Sequence, residues 1–326
     1  MLTCDVGDLV AGGATLFTIT VDVAPDVVYS AGGPTTITNT VSVDGVGNEA
    51  NPADNSDSED TMVVAEADLE IVSFDAVDPP AELLIGEPTD VTLRKVITNN
   101  GPSAPMDVEL TKTASADAGA TVSPTMSVSI ETALGLNEER TVDEVFTIEC
   151  EEPGAHTFTI ANEIQPPDPL DTDPNQANNT AEEELTVECV VPVAINIKPG
   201  SFPNSINLKS NAVIPVAVLT TDAGEYGLSI AFDATTILPL TVRFGPEAVV
   251  NAGGGAPEAH GRGHLEDAFE LDEVTLDGDL DMVLHFRTKQ TGITALDAEA
   301  CVKGQFEDPG GTFVFFGCDV IRIVPA

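Results

Sequence analysis

The sequence contains very little positive charge, no tryptophan and few aromatic residues of any kind. Its 326 residues include 12 lysines and arginines against 55 aspartates and glutamates, so the formal net charge is −43, and aromatic residues make up 5%. Nucleic-acid binding requires a basic surface that displaces counterions from phosphates, and electrostatic docking on anionic lipid requires one too. The composition excludes the first, disfavours the second, and argues against aromatic platforms that stack on sugars.

Long apolar runs are missing as well. No stretch of 18 apolar residues is present to span a membrane, so we expect no membrane insertion. The first residues, Met1-Leu2-Thr3-Cys4, have neither the charged nor the apolar region of an export signal. Hydrophobic residues nevertheless form 42% of the chain, which favours packed cores over a disordered acidic tail. We expect a piece of a longer exported protein, or a mature form whose leader has been removed.

The acidic residues are unevenly spread, because no lysine or arginine precedes Arg94. A surface that repels itself so strongly suits an environment that screens charge, either high salt or millimolar divalent cations. The alternative is that the acidity only keeps a β-protein soluble.

The five cysteines predict two disulfides and one odd cysteine, which has a missing partner, an intermolecular bond or a free thiol. Cys301 and Cys318 flank a glycine-rich turn, and Cys150 and Cys189 each end a run of alternating apolar and polar residues. Closing loops of about 18 and 40 residues would stabilise the fold by roughly 3 and 4 kcal/mol in the chain-entropy model. Cys4 is then left over. Disulfides indicate a compartment outside the cytoplasm.

Alternation of apolar and polar residues with a period of two predicts an all-β fold. No segment holds a long helical period, and clusters of Gly, Pro, Asn and Asp separate the runs. We expect β-sandwiches built from such strands. The predicted strands are Thr15 to Val23, Thr36 to Val43, Leu69 to Phe74, Val91 to Thr98, Val145 to Cys150, His156 to Ile160 and Met282 to Thr288.

An internal repeat divides the chain. The segment "NPADNSDSED" that begins at Asn51 matches the stretch from Asp173 to Thr180, and "TNTVSV" precedes it as "ANEI" precedes the later copy. With "LTCDVGDLVAGGATLFTITVDV" upstream, this pattern resembles the tandem surface-repeat modules of bacteria and archaea. Those are Ig-like domains related to the cell-adhesion-related (CARDB-like) domains. The resemblance implies an adhesive or spacer role on a cell surface, with no catalytic residues to carry over.

Three parts follow from the repeat. Residues 1–65 would be the C-terminal half of one Ig-like module, and residues 66–190 a complete CARDB-like module. Residues 191–326, with "INIKPGSFPNSINLKSNAVIPVAVLTT", "AHGRGHLED" and "DGDLDMVLHFRTKQTGI", resemble a β-sandwich-like C-terminal module of exported proteins from environmental prokaryotes. The function of that module is not established.

One acidic segment in the C-terminal part has the spacing of a calcium loop. Calcium loops place oxygen ligands at alternate positions with a glycine at the sixth for a sharp turn, and Gly278 occupies that position here. We expect calcium as the cofactor, although an acidic turn without an ion remains the alternative. The predicted ligands are Glu273, Thr275, Asp277, Asp279 and Asp281, with Asp267 completing the coordination.

The histidines offer a second, weaker hypothesis. Two imidazoles and a carboxylate can hold zinc with an open position, and His260 and His264 lie in one short segment. Their glycine neighbours favour a solvated turn over the rigid helix of an H-E-x-x-H site. His285 alternates with Leu284 and Phe286, so we expect it on the opposite, more polar face as a surface residue.

No nucleophile elbow, phosphate loop or supported Cys–His pair is present, so we expect a protein that is not an enzyme. The leading hypothesis is an extracellular adhesive stalk or matrix component at the cell surface, stiffened by calcium. Its partners would be other surface modules or copies of itself. The alternatives are a fibre subunit in which another chain completes the half module by strand addition, and a carbohydrate-binding accessory module.

Overall fold

A computed structural model describes residues 2–272 and 274–324 as an all-β protein. The N-terminal part contains α1 (Val27–Ala31), β1 (Thr35–Ser42) and β2 (Ser56–Val63). The middle part contains β3 (Ala67–Val77), β4 (Glu82–Leu84), β5 (Thr89–Pro102), β6 (Met106–Ala116), β7 (Ala120–Ser123), β8 (Met126–Leu134), β9 (Arg140–Cys150), β10 (Gly154–Gln165) and β11 (Thr180–Pro192).

The C-terminal part consists mostly of short strands. They are β12 (Ile195–Ile197), β13 (Ser205–Ile206), β14 (Val213–Val218), β15 (Ile237–Gly245), β16 (Ala256–Pro257), β17 (His264–Glu266), β18 (Asp281–Arg287), β19 (Glu299–Asp308), β20 (Gly311–Val320) and β21 (Arg322–Ile323), with α2 (Glu247–Asn251) after β15. Among the described residues, no helix has the length and apolar character to cross a membrane.

The middle part is a sandwich of two antiparallel sheets. One sheet has the order β3-β5-β9-β7, and the other contains β8, β6, β10 and β11 with β4 beside β11. The strands alternate buried and half-buried positions, as in β6 and β10, because one face of each sheet packs on the core and the other meets water. The predicted strands of this part are therefore confirmed.

The predicted repeat has a counterpart in backbone structure. β1 and β2 form an antiparallel hairpin across a 3₁₀ turn at Pro52–Asp54, and β10 and β11 do the same across one at Gln176–Asn178. In the second hairpin, Asp173 holds the turn in place through hydrogen bonds. Oδ2 of Asp173 accepts hydrogen bonds from the Leu69 backbone N–H and from Nδ2 of Asn179, at 2.8 and 3.0 Å. These bonds explain Asp173 and Asn179 in the stretch from Asp173 to Thr180 without a ligand.

The strand predicted at Thr15 to Val23 is wrong. Residues 14–24 have no strand, and the apolar side chains of this segment are exposed, with Ile19 58% and Val21 71% accessible. The physical reason is the missing second layer: β1 and β2 form a separate two-stranded sheet, most of whose residues are exposed. Such a sheet is at best marginally stable alone, and alternation in sequence cannot supply the layer against which a strand would pack.

The middle and C-terminal parts share one sheet and one core. β11 pairs with β10 over its first ten residues and then runs parallel to β20 at Val191 and Pro192. A single apolar cluster includes Phe146 and Phe158 of the middle part and Phe244 and Phe315 of the C-terminal part. β12, β14, β18 and β17 form a second sheet there. The boundaries predicted at 65 and 190 stay predictions.

Both predicted disulfides are present, Cys150–Cys189 and Cys301–Cys318, with Cα–Cα distances of 5.7 and 4.0 Å. The first joins the two sheets of the middle sandwich, and the second joins the paired strands β19 and β20. Cys4 is free and exposed.

A buried ionic cluster lies inside the middle sandwich. The side chains of Lys95 and Lys112 are 1% and 4% exposed, and both contact the carboxylate of Glu144, Lys95 at 2.5 Å. Lys95 also donates to Oδ1 of Asn162 at 2.9 Å, and Lys112 donates to Ser129. Burial lowers the pKa of each lysine to about 8, because the charged form loses its hydration.

Replacing Glu144 with glutamine should lower the free energy of unfolding by about 3 kcal/mol, because it leaves two buried ammonium groups without their counter-charge. Urea denaturation measures the change. The neighbouring Asp143 pairs with Arg94 in solvent, where the two side chains are 43% and 50% exposed. Asp143→Asn is therefore the matched control and should cost less than about 1 kcal/mol. Equal losses in the two variants would contradict the role of the buried cluster.

Candidate functional site

Three carboxylates from separate segments meet at one end of the C-terminal part. Glu225 lies in the 3₁₀ turn Glu225–Gly227, Glu270 follows β17, and Asp277 precedes β18. One carboxylate oxygen of each lies within 4.8 Å of those of the other two. Two oxygens that bind one Ca²⁺ at 2.3–2.6 Å are at most about 5 Å apart, so the spacing suits that ion.

Glu270 is the buried member of this cluster, with 5% of its surface exposed. Its Oε2 accepts a hydrogen bond from the hydroxyl of Tyr226, whereas its Oε1 is buried and has no partner. Burial raises the pKa of Glu270, and the hydrogen bond from Tyr226 partly offsets that rise. Burial and the nearby carboxylates also raise the pKa of Tyr226. The cluster thus contains a desolvated oxygen with an open coordination position.

Asp279 adds a second oxygen of this kind. Its Oδ1 is buried without a partner, and its backbone N–H donates to Oδ1 of Asp277 at 3.1 Å. Burial, the hydrogen bond to Asp277 and the neighbouring charges raise the pKa of Asp279 to about 7. Gly278 between them has φ +97°, the left-handed conformation that the predicted sharp turn requires. Among the described residues, no lysine, arginine or histidine forms an ion pair with these carboxylates.

The other predicted ligands have different positions. The hydroxyl of Thr275 donates to Asp272, whose Oδ1 also accepts from the backbone N–H of residues 274 and 275. These hydrogen bonds lower the pKa of Asp272. Asp267 is exposed after β17 and outside the three-carboxylate cluster. Glu273 lies outside the described residues.

Asp281 is fully buried and connects β18 to two neighbouring segments through hydrogen bonds. Its Oδ1 accepts from the Thr220 N–H at 2.9 Å, and its Oδ2 accepts from the Ala268 N–H at 2.8 Å. Burial raises its pKa and the two backbone bonds lower it in part. Asp281 therefore fixes the segments that carry Glu225 and Glu270 relative to β18.

Sequence reasoning missed Glu225 and Glu270. Spacing in one loop is a local signal, and Glu225 belongs to a segment far upstream that only the fold brings close. Glu270 carried a weak signal, since it stands in the acidic stretch just before the predicted loop.

Three histidines form a second cluster beside the paired strands β17 and β18. His260 and His264 are exposed, His285 is half-buried on β18, and a ring nitrogen of each lies within 4.8 Å of those of the other two. Burial first, and then the two neighbouring imidazoles, lower the pKa of His285. The sequence predicted His285 as a surface residue on the polar face of its strand and did not link it to the other two, whereas the fold half-buries it and brings all three together.

Comparisons with known proteins agree with the fold class only. No protein-family model matches the sequence, and no curated protein matches it significantly. Among solved structures, the CARDB domain of a Pyrococcus furiosus protein, solved in complex with di-metal ions, matches with 14% identity and a TM-score of 0.26. That match covers 38% of this chain and 94% of that chain.

Two further structures illustrate the range of neighbours. Domains 4–9 of the surface layer protein SbsC match at 14% identity over 84% of this chain and 34% of that chain, with a TM-score of 0.19. A PapD-like domain of human CEP192 matches at 12% identity over 37% and 87%, with a TM-score of 0.23. Values this low assign neither a family nor a function. The resemblance of the C-terminal part to an exported module stays a prediction.

Asp281→Asn should lower the free energy of unfolding by about 1–3 kcal/mol even in EDTA, because an amide cannot accept both backbone N–H bonds and one buried donor is left unpaired. Denaturant unfolding in EDTA measures the change. Asp267→Asn, at an exposed position, should change it by less than about 0.5 kcal/mol. A stability loss seen only when calcium is present would instead make Asp281 a ligand without a structural role.

Proposed function

We propose that this chain is a structural part of an extracellular surface protein, without enzymatic activity, whose C-terminal part is stiffened by a bound Ca²⁺. The observation that carries the calcium proposal is the unpartnered, buried Oε1 of Glu270 within a cluster of carboxylates that, among the described residues, forms no ion pair with a basic side chain. Hard oxygen donors of this kind suit Ca²⁺, which takes six to eight of them in a flexible geometry. Glu225, Glu270 and Asp277 bind the ion.

The two disulfides and the net charge support a location outside the cytoplasm. Two disulfides form readily in oxidising compartments and rarely in the cytosol. A net charge of −43 is tolerated best where salt or divalent ions screen it. Calcium at millimolar concentration outside cells would both screen the surface and fill the site.

The stalk role is supported by the continuity of the fold. β11 belongs to the sandwich of the middle part and pairs with β20 of the C-terminal part, so that force applied to one part passes through backbone hydrogen bonds to the other. An ion that joins the turn at Glu225 to the loops around β18 would stiffen the end of this unit.

Thermal unfolding of the full chain in calcium and in EDTA tests the proposal. At a calcium concentration 100 times the dissociation constant, we expect about 2.7 kcal/mol of added stability, which raises the melting temperature of a chain of this length by about 4 °C. Glu270→Gln should abolish the rise, and Asp143→Asn, which removes an exposed carboxylate of the middle sandwich, should keep it. An equal melting temperature in calcium and EDTA would overturn the calcium site.

A second candidate function follows from the exposed apolar segment at residues 14–24. Phe17, Ile19 and Val21 are 49%, 58% and 71% exposed, and within the described residues β1 and β2 pair only with each other, so both edges of their sheet are open. Open sheet edges accept a strand from another chain, and the uncovered apolar side chains offer it a surface to pack on. In this role the chain is a fibre subunit that joins copies of itself.

Sedimentation velocity across micromolar concentrations tests strand addition. The full chain should associate as concentration rises, because the exposed apolar segment gains a partner. The double variant Ile19→Asp, Val21→Asp should stay monomeric, whereas Val46→Asp, at a fully exposed residue outside this segment, should associate like the parent. A parent chain that is monomeric throughout this range would contradict the fibre role.

A further inference from the structure

The histidine cluster brings together three of the four histidines in the chain. The ring centroids of His260 and His285 are 5.3 Å apart, those of His264 and His285 5.5 Å, and those of His260 and His264 6.2 Å. His260 belongs to the segment that leads into β17, His264 is the first residue of β17, and His285 belongs to β18, its hydrogen-bonded neighbour. The three rings therefore face one small volume from two elements.

A buried carboxylate holds this arrangement in place. The Glu258 side chain is fully buried, and its oxygens accept hydrogen bonds from the backbone N–H groups of His260, Arg262 and His285, at 2.6, 3.0 and 3.3 Å. The Ala259 N–H donates to the carbonyl of His285 at 2.8 Å. Three N–H donors stabilise a charge that would otherwise be costly to bury. Glu258 thus fixes the distance between the loop and β18.

Glycine makes the close approach possible. A Cβ atom at Gly263 would lie 2.0 Å from the sulfur of Met282, so any larger residue there would push the loop away from β18. Gly261 has φ +69°, which turns the chain between the two exposed histidines. The glycines that favoured a solvated turn at the level of sequence instead let the loop pack on β18.

The hydrogen-bonding state of the three imidazoles bears on whether they can bind a ligand. Nδ1 of His285 is buried and has no hydrogen-bond partner. His260 and His264 are exposed, so small side-chain rotations can bring their nitrogens from within 4.8 Å to the closer spacing that a bound ion requires. Nδ1 of His260 lies 3.6 Å from Oε1 of Glu258. A carboxylate behind a ligand histidine orients the ring and raises its basicity in many zinc sites.

We propose that His260, His264 and His285 bind a Zn²⁺ ion in a three-histidine site. Imidazole nitrogen suits zinc and the neighbouring first-row metals and is a poor donor for Ca²⁺. Three protein ligands leave the fourth position of a tetrahedral ion open to water or to a partner's carboxylate. The site is separate from the carboxylate cluster and does not depend on the calcium proposal, since the two share no residue.

Zinc titration of the full chain by calorimetry tests this site. The Cys4→Ser background removes the exposed free thiol, a competing zinc ligand, and millimolar calcium occupies carboxylate sites. We expect one zinc ion per chain. His264→Ala and His285→Ala should each weaken binding at least 100-fold, since loss of a mere outer-shell partner already costs about 10–100-fold.

The remaining histidine provides the control. His156 lies in the middle part, with Nδ1 2.7 Å from Asp117, and His156→Gln should bind zinc like the parent. Because His264 is exposed, His264→Ala should keep the melting temperature of the zinc-free parent, which separates loss of a ligand from loss of the fold. Co²⁺ in place of zinc should give the visible absorption of a tetrahedral site, absent in His285→Ala. A parent that binds no zinc, or a His264→Ala or His285→Ala variant that binds like the parent, would overturn the proposal.

Discussion

The carboxylate of Glu270 is the constraint on which the C-terminal part depends. It is buried among other acidic groups, and one of its oxygens has no partner. An uncompensated buried charge is costly, so the group must gain a proton or a cation. The pKa values of Glu270, Asp279 and Asp281 are raised by burial, which favours the first outcome, the gain of a proton. The bound Ca²⁺ that we propose is the second, because it would keep the carboxylates ionised while joining segments that are distant in sequence.

Other buried carboxylates near β18 are stabilised in a different way, by hydrogen bonds from backbone N–H groups. Asp281 binds the backbone at Thr220 and Ala268, and Glu258 binds the backbone at His260, Arg262 and His285. Asp281 and Glu258 are each stabilised by backbone N–H donors, and they fix the segments that carry the carboxylate cluster and the histidine cluster. The two clusters share no residue, so the proposed calcium and zinc sites would differ in donor type, oxygen in one and nitrogen in the other.

The sequence predicted the features that depend on local pattern. Alternation identified the strands of the sandwich, and cysteines at strand ends identified both disulfides. It failed at Thr15 to Val23, because alternation shows that a segment has an apolar face but not that a second layer exists to cover it. The same limit applies to the sites. Alternation placed His285 on the face opposite Leu284 and Phe286, yet nothing local indicated that the loop from His260 to His264 folds over that face. The sequence did not predict Glu225 as a member of the carboxylate cluster, because Glu225 meets Glu270 and Asp277 only through the fold.

The most direct measurement is a crystal structure of the full chain grown in calcium, with the anomalous signal used to locate the ion. The account predicts one Ca²⁺ bound by oxygens of Glu225, Glu270 and Asp277 at about 2.3–2.6 Å, with Oε1 of Glu270 among the ligands. A structure in which this cluster holds no ion at saturating calcium, and Oε1 of Glu270 instead bonds to a protein group or to water, would contradict it.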